Sequence, residues 1–195
     1  GTKIPLFICH KKGIKLDGTN PTLLYGYGGF NISLTPIYSP SRLQWMEMGG
    51  VFAMACLRGG GEYGEDWHRA GTKLKKQNVF DDFIAAGGYL IEKKYTAPKK
   101  LAIQGGSNGG LLMGAELTQH PAAFRTVVAQ DGIYDMLRVE LDPHGAFNTT
   151  EFGPVTDAGP FQARSVHSPY PQLWDGTASA SDLSTARATA ALIQS

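Results

Sequence analysis

A serine stands at the centre of a glycine-rich hexapeptide, Gly-Gly-Ser-Asn-Gly-Gly, at residues 105–110. The string contains the pattern G-x-S-x-G, in which the serine occupies a strained turn that exposes its hydroxyl for attack on a carbonyl carbon. Its neighbours must be small because other backbone passes close to such a turn. The spacing therefore predicts that Ser107 is the nucleophile of an acyl-transfer reaction.

The residues around this motif predict how the reaction's negative charge is stabilised. A strand-like run at residues 100–104 precedes the serine, and a helical pattern follows it as far as Leu117. A helix that begins directly after the serine directs backbone N–H groups at developing negative charge, so we expect the N–H of Asn108 to donate to the oxyanion. The alternative is a phosphate-binding or turn loop, which is disfavoured because no Lys-Ser/Thr pair follows.

A second glycine loop, at residues 26–31, follows a strand-like run at residues 22–27. In an α/β hydrolase the other oxyanion donor comes from a loop in this sequential place, well before the nucleophile. Tyrosine hydroxyls serve as oxyanion donors, so Tyr27 is the candidate. The alternative is a turn whose aromatic side chains simply pack.

The remaining patterns predict the scaffold. Strand-like runs lie at residues 3–9, 22–27, 51–57, 100–104 and 126–130, and helical patterns lie at about 42–48, 79–95 and 108–117. Asn78 is the expected cap of the second helix. The alternation of strands and helices predicts an α/β-hydrolase-like fold, with a mostly parallel sheet and helices on both faces. We expect one partial domain over residues 1–175 and an atypical Ala/Ser/Thr-rich tail over 176–195, either helical or disordered.

A third glycine loop, at residues 58–64, formally contains the dinucleotide-binding pattern G-x-G-x-x-G. Glu62 would place a negative charge among the phosphate-binding residues, and no clear helix is expected to begin at Gly64. A structural crossover loop is therefore the favoured interpretation.

Composition excludes several classes of partner. The 195 residues carry a formal net charge of +1, which gives no electrostatic basis for binding nucleic acid or an anionic membrane. No apolar run approaches the ~20 residues that span a bilayer. No histidine pair has metal-site spacing, so we expect neither metal nor cofactor. Cys9 and Cys56 are interpreted as buried thiols, which favours a cytoplasmic location.

A serine nucleophile of this type requires a histidine base later in the chain, with an acid between them. No histidine that follows Ser107 has a convincing position for this role. The candidates left open are His120, His144 and His167 as bases, with Asp131, Asp135, Asp142 and Asp157 as acids.

Taken together, the motifs resemble the catalytic domain of the prolyl oligopeptidase family of serine peptidases. The resemblance extends from residue 1 to about residue 170. The matching strings are GTKIPLFICHKKGIKLDG, LLYGYGGFNIS, RGGGEYGEDWHRAG, QNVFDDF, GGSNGGLL and NTTEFG. It implies that this chain is a serine peptidase that cleaves short peptides after proline through an acyl-enzyme on Ser107.

The resemblance also implies roles for individual residues. Tyr27 and the backbone of Asn108 match the family's oxyanion donors, Phe30 matches an aromatic wall of the proline pocket, and Ile133 matches an apolar pocket position. Asn148 falls near the place of a tryptophan that stacks on proline in typical members. This departure predicts a less strict preference for proline.

The C-terminal part departs further from the family pattern. After Gly176 we find neither the strand nor the Gly-His-Gly context that carries the family's aspartate and histidine, and Asp182 is at best a vestige. We therefore expect a C-terminally truncated or recombined domain whose exposed sheet edge promotes self-association. The alternative to a peptidase is a non-catalytic α/β-hydrolase fragment that lacks the triad Asp and His.

Overall fold

The computed structural model describes residues 1–142 and 145–170. The strands are β1 Leu6–Cys9, β2 Thr22–Tyr25, β3 Val51–Ala55, β4 Leu101–Gly106 and β5 Thr126–Gln130. The helices are α1 Pro40–Glu47, α2 Glu65–Arg69, α3 Gln77–Glu92, α4 Asn108–Gln119, α5 Thr149–Phe152 and α6 Ala158–His167. Short 3-10 helices lie at Lys73–Lys75, Pro98–Lys100, Val139–Leu141 and Gly145–Asn148.

The five strands form one sheet in the order β1-β3-β2-β4-β5. Strand β1 pairs with β3 in antiparallel fashion, and the other three pairings are parallel. All five predicted strands are present, and the predicted mostly parallel sheet is confirmed. Because β3, β2 and β4 are parallel neighbours, the three glycine loops that follow them lie at the same edge of the sheet.

One face of the sheet carries the main core. Leu24 of β2 and Ile103 of β4 are fully buried there against Phe83 of α3 and Leu112 of α4. The helix predicted over residues 79–95 is present as α3. The predicted cap is wrong: Asn78 lies inside the helix, and its side-chain amide donates to the carbonyl oxygen of Ala70 at 2.8 Å.

Helix α1 covers part of the opposite face, so helices lie on both faces as predicted. The guanidinium of Arg42 lies over the ring of Phe52, 4.4 Å from its centroid. The indole N–H of Trp45 donates to the carbonyl oxygen of Val51 at 2.9 Å. Beyond α1 this face remains an open groove, lined on the β4 and β5 side by Gln104 and Gln130.

The edges of the sheet bear on the expected self-association. In the described part of the chain, β5 pairs with β4 and has no strand on its other side.

Cys9 and Cys56 are free thiols, the first half-buried and the second buried. No helix among the described residues is long and apolar enough to cross a bilayer. The tail predicted for residues 176–195 lies outside the described residues.

Candidate active site

Ser107 occupies a sharp turn between an internal parallel strand and a helix, as predicted. Strand β4 ends at Gly106 and helix α4 begins at Asn108, with Ser107 between them at φ 55° and ψ −117°. Its N–H donates to the carbonyl oxygen of Gln130 at 2.8 Å, and its own carbonyl accepts from the first turn of α4. A residue other than glycine rarely adopts a positive φ, so the surrounding hydrogen bonds must hold Ser107 in this conformation.

Close backbone approaches explain the glycines around the serine. A Cβ placed on Gly105 would lie 2.4 Å from the carbonyl oxygen of Gly109, and one on Gly109 would lie 2.7 Å from that of Gly26. A Cβ on Gly110 would lie 2.5 Å from the Cα of Gly132. Any side chain at these positions would push the start of α4 away from the neighbouring loops.

Tyr27 reaches the serine from the adjacent strand. Strands β2 and β4 are parallel neighbours, with Tyr25 opposite Gln104, so the residues that follow them meet at one edge. The ring of Tyr27 lies beside the first turn of α4, where a Cβ added to Gly109 would be 3.6 Å from its Cδ2, and the Ser107 side chain opposes the effect of burial on the pKa of the phenol. Burial raises the pKa of the phenol above its ordinary value, so it remains a neutral hydrogen-bond donor at neutral pH.

Asn108 links the loop and the helix. Its side chain is only 1% exposed, and its amide Nδ2 donates to the carbonyl oxygen of Tyr27 at 2.6 Å. Gly29 lies directly beside this amide, where an added Cβ would be 2.5 Å from Nδ2. The backbone N–H of Asn108, in the first turn of α4, donates to no acceptor among the described residues. This N–H is therefore free to bind an oxyanion.

A buried ionic cluster stands behind the same loop. The ammonium of Lys76 donates to the carbonyl oxygen of Gly28 at 2.9 Å and to Glu151 at 3.1 Å. The other carboxylate oxygen of Glu151 lies 2.9 Å from Nε2 of His68. Our sequence reasoning missed this cluster, although Glu151 lies within the NTTEFG string that carries the family resemblance.

Two of the three residues predicted for the proline pocket lie close together. Phe30, at φ 54°, packs against Phe147 at 5.4 Å and edge-on against Phe152 at 5.8 Å between ring centroids. Asn148 lies between these two aromatic residues in the chain, is 4% exposed, and has an amide oxygen without a partner among the described residues.

The third predicted pocket residue, Ile133, is partly buried and packs against the core. It directly follows Gly132, whose Cα abuts Gly110 in the first turn of α4. Ile133 is thereby anchored near the nucleophile turn.

None of the described histidines hydrogen-bonds to Ser107. His120 is the C-cap of α4, and the rise of a helix places it about 18 Å from the serine at the other end. His167 is 7% exposed and packs edge-on against Phe80 at 5.3 Å, and burial lowers its pKa to about 4. Neither residue is placed to accept the serine proton. The third candidate, His144, lies outside the described residues.

Of the four candidate acids after β5, Asp135 is half-buried and the other three are exposed, namely Asp131, Asp142 and Asp157. Asp135 pairs with Arg138, and Asp157 is the N-cap of α6. The described residues contain no group of three His, Cys, Asp or Glu side chains that could hold a metal ion.

The third glycine loop has structural contacts that explain its composition. Gly59 abuts Gly28, since an added Cβ would lie 2.6 Å from the carbonyl oxygen of Gly28. Arg58 pairs with the buried Asp82, and Glu62 accepts from the N–H of Leu34 at 2.8 Å. These contacts favour the crossover-loop interpretation. The expectation that no helix begins after Gly64 is wrong, because α2 begins at Glu65.

A serine on a sharp strand–turn–helix at the carboxyl edge of a mostly parallel sheet is the nucleophile arrangement of the α/β-hydrolase class. The profile of the prolyl oligopeptidase family matches residues 36–178. The chain belongs to this family.

Its relatives are known enzymes and solved structures of the same kind. It is 48% identical over 178 residues to the prolyl endopeptidase of Elizabethkingia meningoseptica. The aligned region covers 91% of this chain and 25% of that relative. A solved prolyl endopeptidase structure superposes with a TM-score of 0.86 at 52% identity, over 87% of this chain and 25% of the other. The structure of a post-proline cleaving enzyme from Rickettsia typhi superposes with a TM-score of 0.85 at 40% identity, also over 87% of this chain and 25% of the other. The chain thus spans about a quarter of the length of these relatives.

Proposed function

We propose that this chain supplies the nucleophile and oxyanion site of a serine-type peptidase that hydrolyses short peptides after proline. The observation that carries the proposal is the strained turn at Ser107 between β4 and α4, with the ring of Tyr27 beside the first turn of that helix. Its similarity to proteins named prolyl endopeptidases supports the substrate class.

The proposed reaction passes through an acyl-enzyme. The Ser107 oxygen bonds to the scissile carbonyl carbon and gives up its proton to a base, while the carbonyl electrons move onto oxygen. The oxyanion accepts hydrogen bonds from the Tyr27 hydroxyl and the Asn108 N–H. The C–N bond then breaks, the amine leaves with a proton, and water hydrolyses the ester. No cofactor is required.

We assign the pocket for the substrate's proline ring to Phe30, Ile133 and Asn148. Phe30 offers an aromatic surface that Phe147 and Phe152 hold in place. The amide oxygen of Asn148 is buried and has no partner among the described residues, which gives this wall a polar character. We expect proline to be preferred less strictly than by a pocket with a stacking tryptophan, because an amide offers less apolar contact area.

A fluorophosphonate probe tests the proposal, since it forms a covalent bond only with an activated serine. Intact-protein mass spectrometry should show a single adduct on the wild-type chain, which forms slowly because no described histidine takes the serine proton and which is absent from Ser107→Ala. Tyr27→Phe should slow the labelling because one oxyanion donor is lost. The same rate of labelling on Ser107→Ala would contradict the proposal.

The alternative function is a non-catalytic α/β-hydrolase fragment. The observation that favours it is the absence, among residues 1–142 and 145–170, of a histidine that hydrogen-bonds to Ser107. A wild-type chain that is folded by circular dichroism but does not label would support this alternative.

We also propose that the chain associates with itself and is located in the cytoplasm. The unpaired side of β5 in the described residues supports self-association, because an open strand edge can pair with another chain. Two free cysteines support the location. Light scattering after size exclusion should show dimers or larger species that Val128→Lys reduces, since charge on an edge strand discourages pairing. A monomeric wild-type chain would contradict self-association.

A further inference from the structure

Lys76 is a buried cation in contact with the loop that carries the oxyanion tyrosine. Its side chain is 2% exposed. The ammonium contacts the Gly28 carbonyl oxygen at 2.9 Å and Glu151 at 3.1 Å, and it lies over the ring of Phe152, 5.1 Å from the centroid. An ammonium without partners would be very unfavourable in such a place, so these contacts account for its burial.

The tyrosine is held from both sides through backbone carbonyls. The carbonyl of Tyr27 itself accepts from Asn108, and the carbonyl of the next residue, Gly28, accepts from Lys76. Gly28 has φ +65°, a conformation that a glycine leaves easily when nothing fixes it. The Lys76 bond therefore restricts the peptide that sets the direction of the Tyr27 side chain.

The same cluster reaches the proposed proline pocket. Glu151 and Phe152 are neighbours in α5, and Phe152 packs edge-on against Phe30. His68 contributes a second contact to the Glu151 carboxylate at 2.9 Å. One buried cluster thus joins the oxyanion loop, the aromatic pocket wall and the start of α3.

We propose that Lys76, held by Glu151, is a positioning residue that fixes the Tyr27 hydroxyl where it donates a hydrogen bond to the oxyanion. The inference rests on the proposed function of Tyr27. Lys76 does not touch the reacting atoms and acts only through the Gly28 carbonyl.

Two matched ligands separate this role from general stability. The first is an N-acyl-Gly-proline boronic acid, and the second is the N-acyl-Gly-pyrrolidide, which lacks the boronic acid group. With the boronic acid, the Ser107 oxygen forms a bond to boron, its proton passes to solvent, and the tetrahedral boron carries a negative charge shared with its oxygens. Only this ligand tests the oxyanion donors, whereas both test the ring pocket.

Titration calorimetry at pH 7.5 provides the affinities. Removal of an oxyanion donor reduces transition-state stabilisation on the order of 10²-fold. Tyr27→Phe should therefore lower the affinity for the boronic acid by about that factor. Lys76→Met should weaken it by about 10-fold, because it displaces the donor without removing it. The pyrrolidide should change by less than about 2-fold in both variants, since the donors bind only the charged adduct. In the Tyr27→Phe background, Lys76→Met should have no further effect on the boronic acid.

Matched controls separate positioning from unfolding. The pair Lys76→Met with Glu151→Gln removes both charges, so a folded variant remains available if Lys76→Met alone leaves Glu151 unpaired and unfolds. Leu90→Ala disturbs the far end of α3 and should leave the ratio of the two affinities unchanged.

Three outcomes would overturn the inference. In the first, Lys76→Met weakens both ligands equally. In the second, its effect persists fully without the Tyr27 hydroxyl. In both cases the proposed function of Ser107 and Tyr27 would stand. In the third, a folded wild-type chain binds the boronic acid no better than the pyrrolidide, which would overturn the proposed function as well.

Discussion

The chain treats the two sides of the Ser107 hydroxyl differently. On one side stand the Tyr27 phenol and the free N–H of Asn108, both held by buried contacts. On the other side, no described histidine is placed to take the proton. The described residues thus assemble the electrostatic half of a hydrolase site, whose donors follow the neighbouring strands β2 and β4, without the proton-transfer half.

The electrostatic half is built from neighbouring strand ends. Loops after β2, β3 and β4 meet at one edge of the sheet, and glycines allow their backbones to touch. Residues after β5 add to this packing, because Gly132 abuts the first turn of α4 and Glu151 holds Lys76 against the Gly28 carbonyl.

The comparison is tested most severely by turnover. We expect the purified chain to hydrolyse Z-Gly-Pro-type substrates at least about 10⁴-fold more slowly than a full-length relative, because no described histidine is placed to take the Ser107 proton and loss of a triad function costs about that factor or more. Ser107→Ala should then change the residual rate little, since triad residues act as a unit. A fluorogenic assay measures both rates. Fast hydrolysis that Ser107→Ala abolishes would break the comparison, and variants of His120, His144 and His167 would then identify the base.

Two buried carboxylates sharpen the comparison between partnered and unpartnered groups. Glu151 has Lys76 and His68 as partners, whereas both carboxylate oxygens of Glu116 in α4 have no partner among the described residues. Glu151→Gln should lower the free energy of unfolding by about 3–5 kcal/mol, because it leaves the Lys76 ammonium buried without its counter-charge. Urea denaturation at pH 7 measures the loss. An unchanged midpoint would show that the cluster contributes nothing to stability.

In contrast to Glu151→Gln, the substitution Glu116→Gln should increase the free energy of unfolding, and the increase should depend on pH. Burial, assisted by the charge of Asp81, raises its pKa to about 9. Since the folded-state pKa lies above the unfolded one, stability is full below about pH 4.5 and falls as the pH rises toward 9. Glu116→Gln should therefore raise the free energy of unfolding by about 1–3 kcal/mol at pH 8 and change it little at pH 5. Equal effects at both pH values would mean that the carboxyl does not titrate in this range.

Glycine substitutions test whether the electrostatic half is rigid. Gly105→Ala should destabilise the chain by about 1–3 kcal/mol, because its Cβ meets the Gly109 carbonyl oxygen and must displace the start of α4. It should also slow fluorophosphonate labelling. The matched control is Gly88→Ala on the exposed side of α3, where a Cβ meets nothing within 4 Å. Thermal denaturation should show that this variant is more stable than the wild-type chain by about 0.5–1 kcal/mol. Its rate of fluorophosphonate labelling should be unchanged.

The features that the sequence predicted correctly are local ones. Short apolar runs identified the five strands, and the small residues around Ser107 identified its turn. The predictions that failed depend on distant contacts. Asn78 does not cap α3, because its amide bonds to Ala70 on the preceding segment. The partnership of Lys76 with Glu151 joins residues 75 positions apart, and no local pattern marks a lysine as buried.

The smallest effect concerns the backbone at the nucleophile. Ser107→Gly should be about 1–2 kcal/mol more stable than Ser107→Ala, because only glycine adopts φ +55° without strain. Both variants lack the hydroxyl, so the difference between their urea midpoints isolates the backbone term. Equal midpoints would mean that the turn is not strained.

This strain gives position 107 a particular evolutionary meaning. The codons AGC and AGU for serine become glycine codons through one base change, and that change would relax the turn. A lineage that no longer needed the hydroxyl would meet no folding barrier on that route and would gain stability by taking it. A serine at φ +55° is therefore a residue that folding alone does not maintain, whereas the adjacent glycines would persist in an inactive descendant.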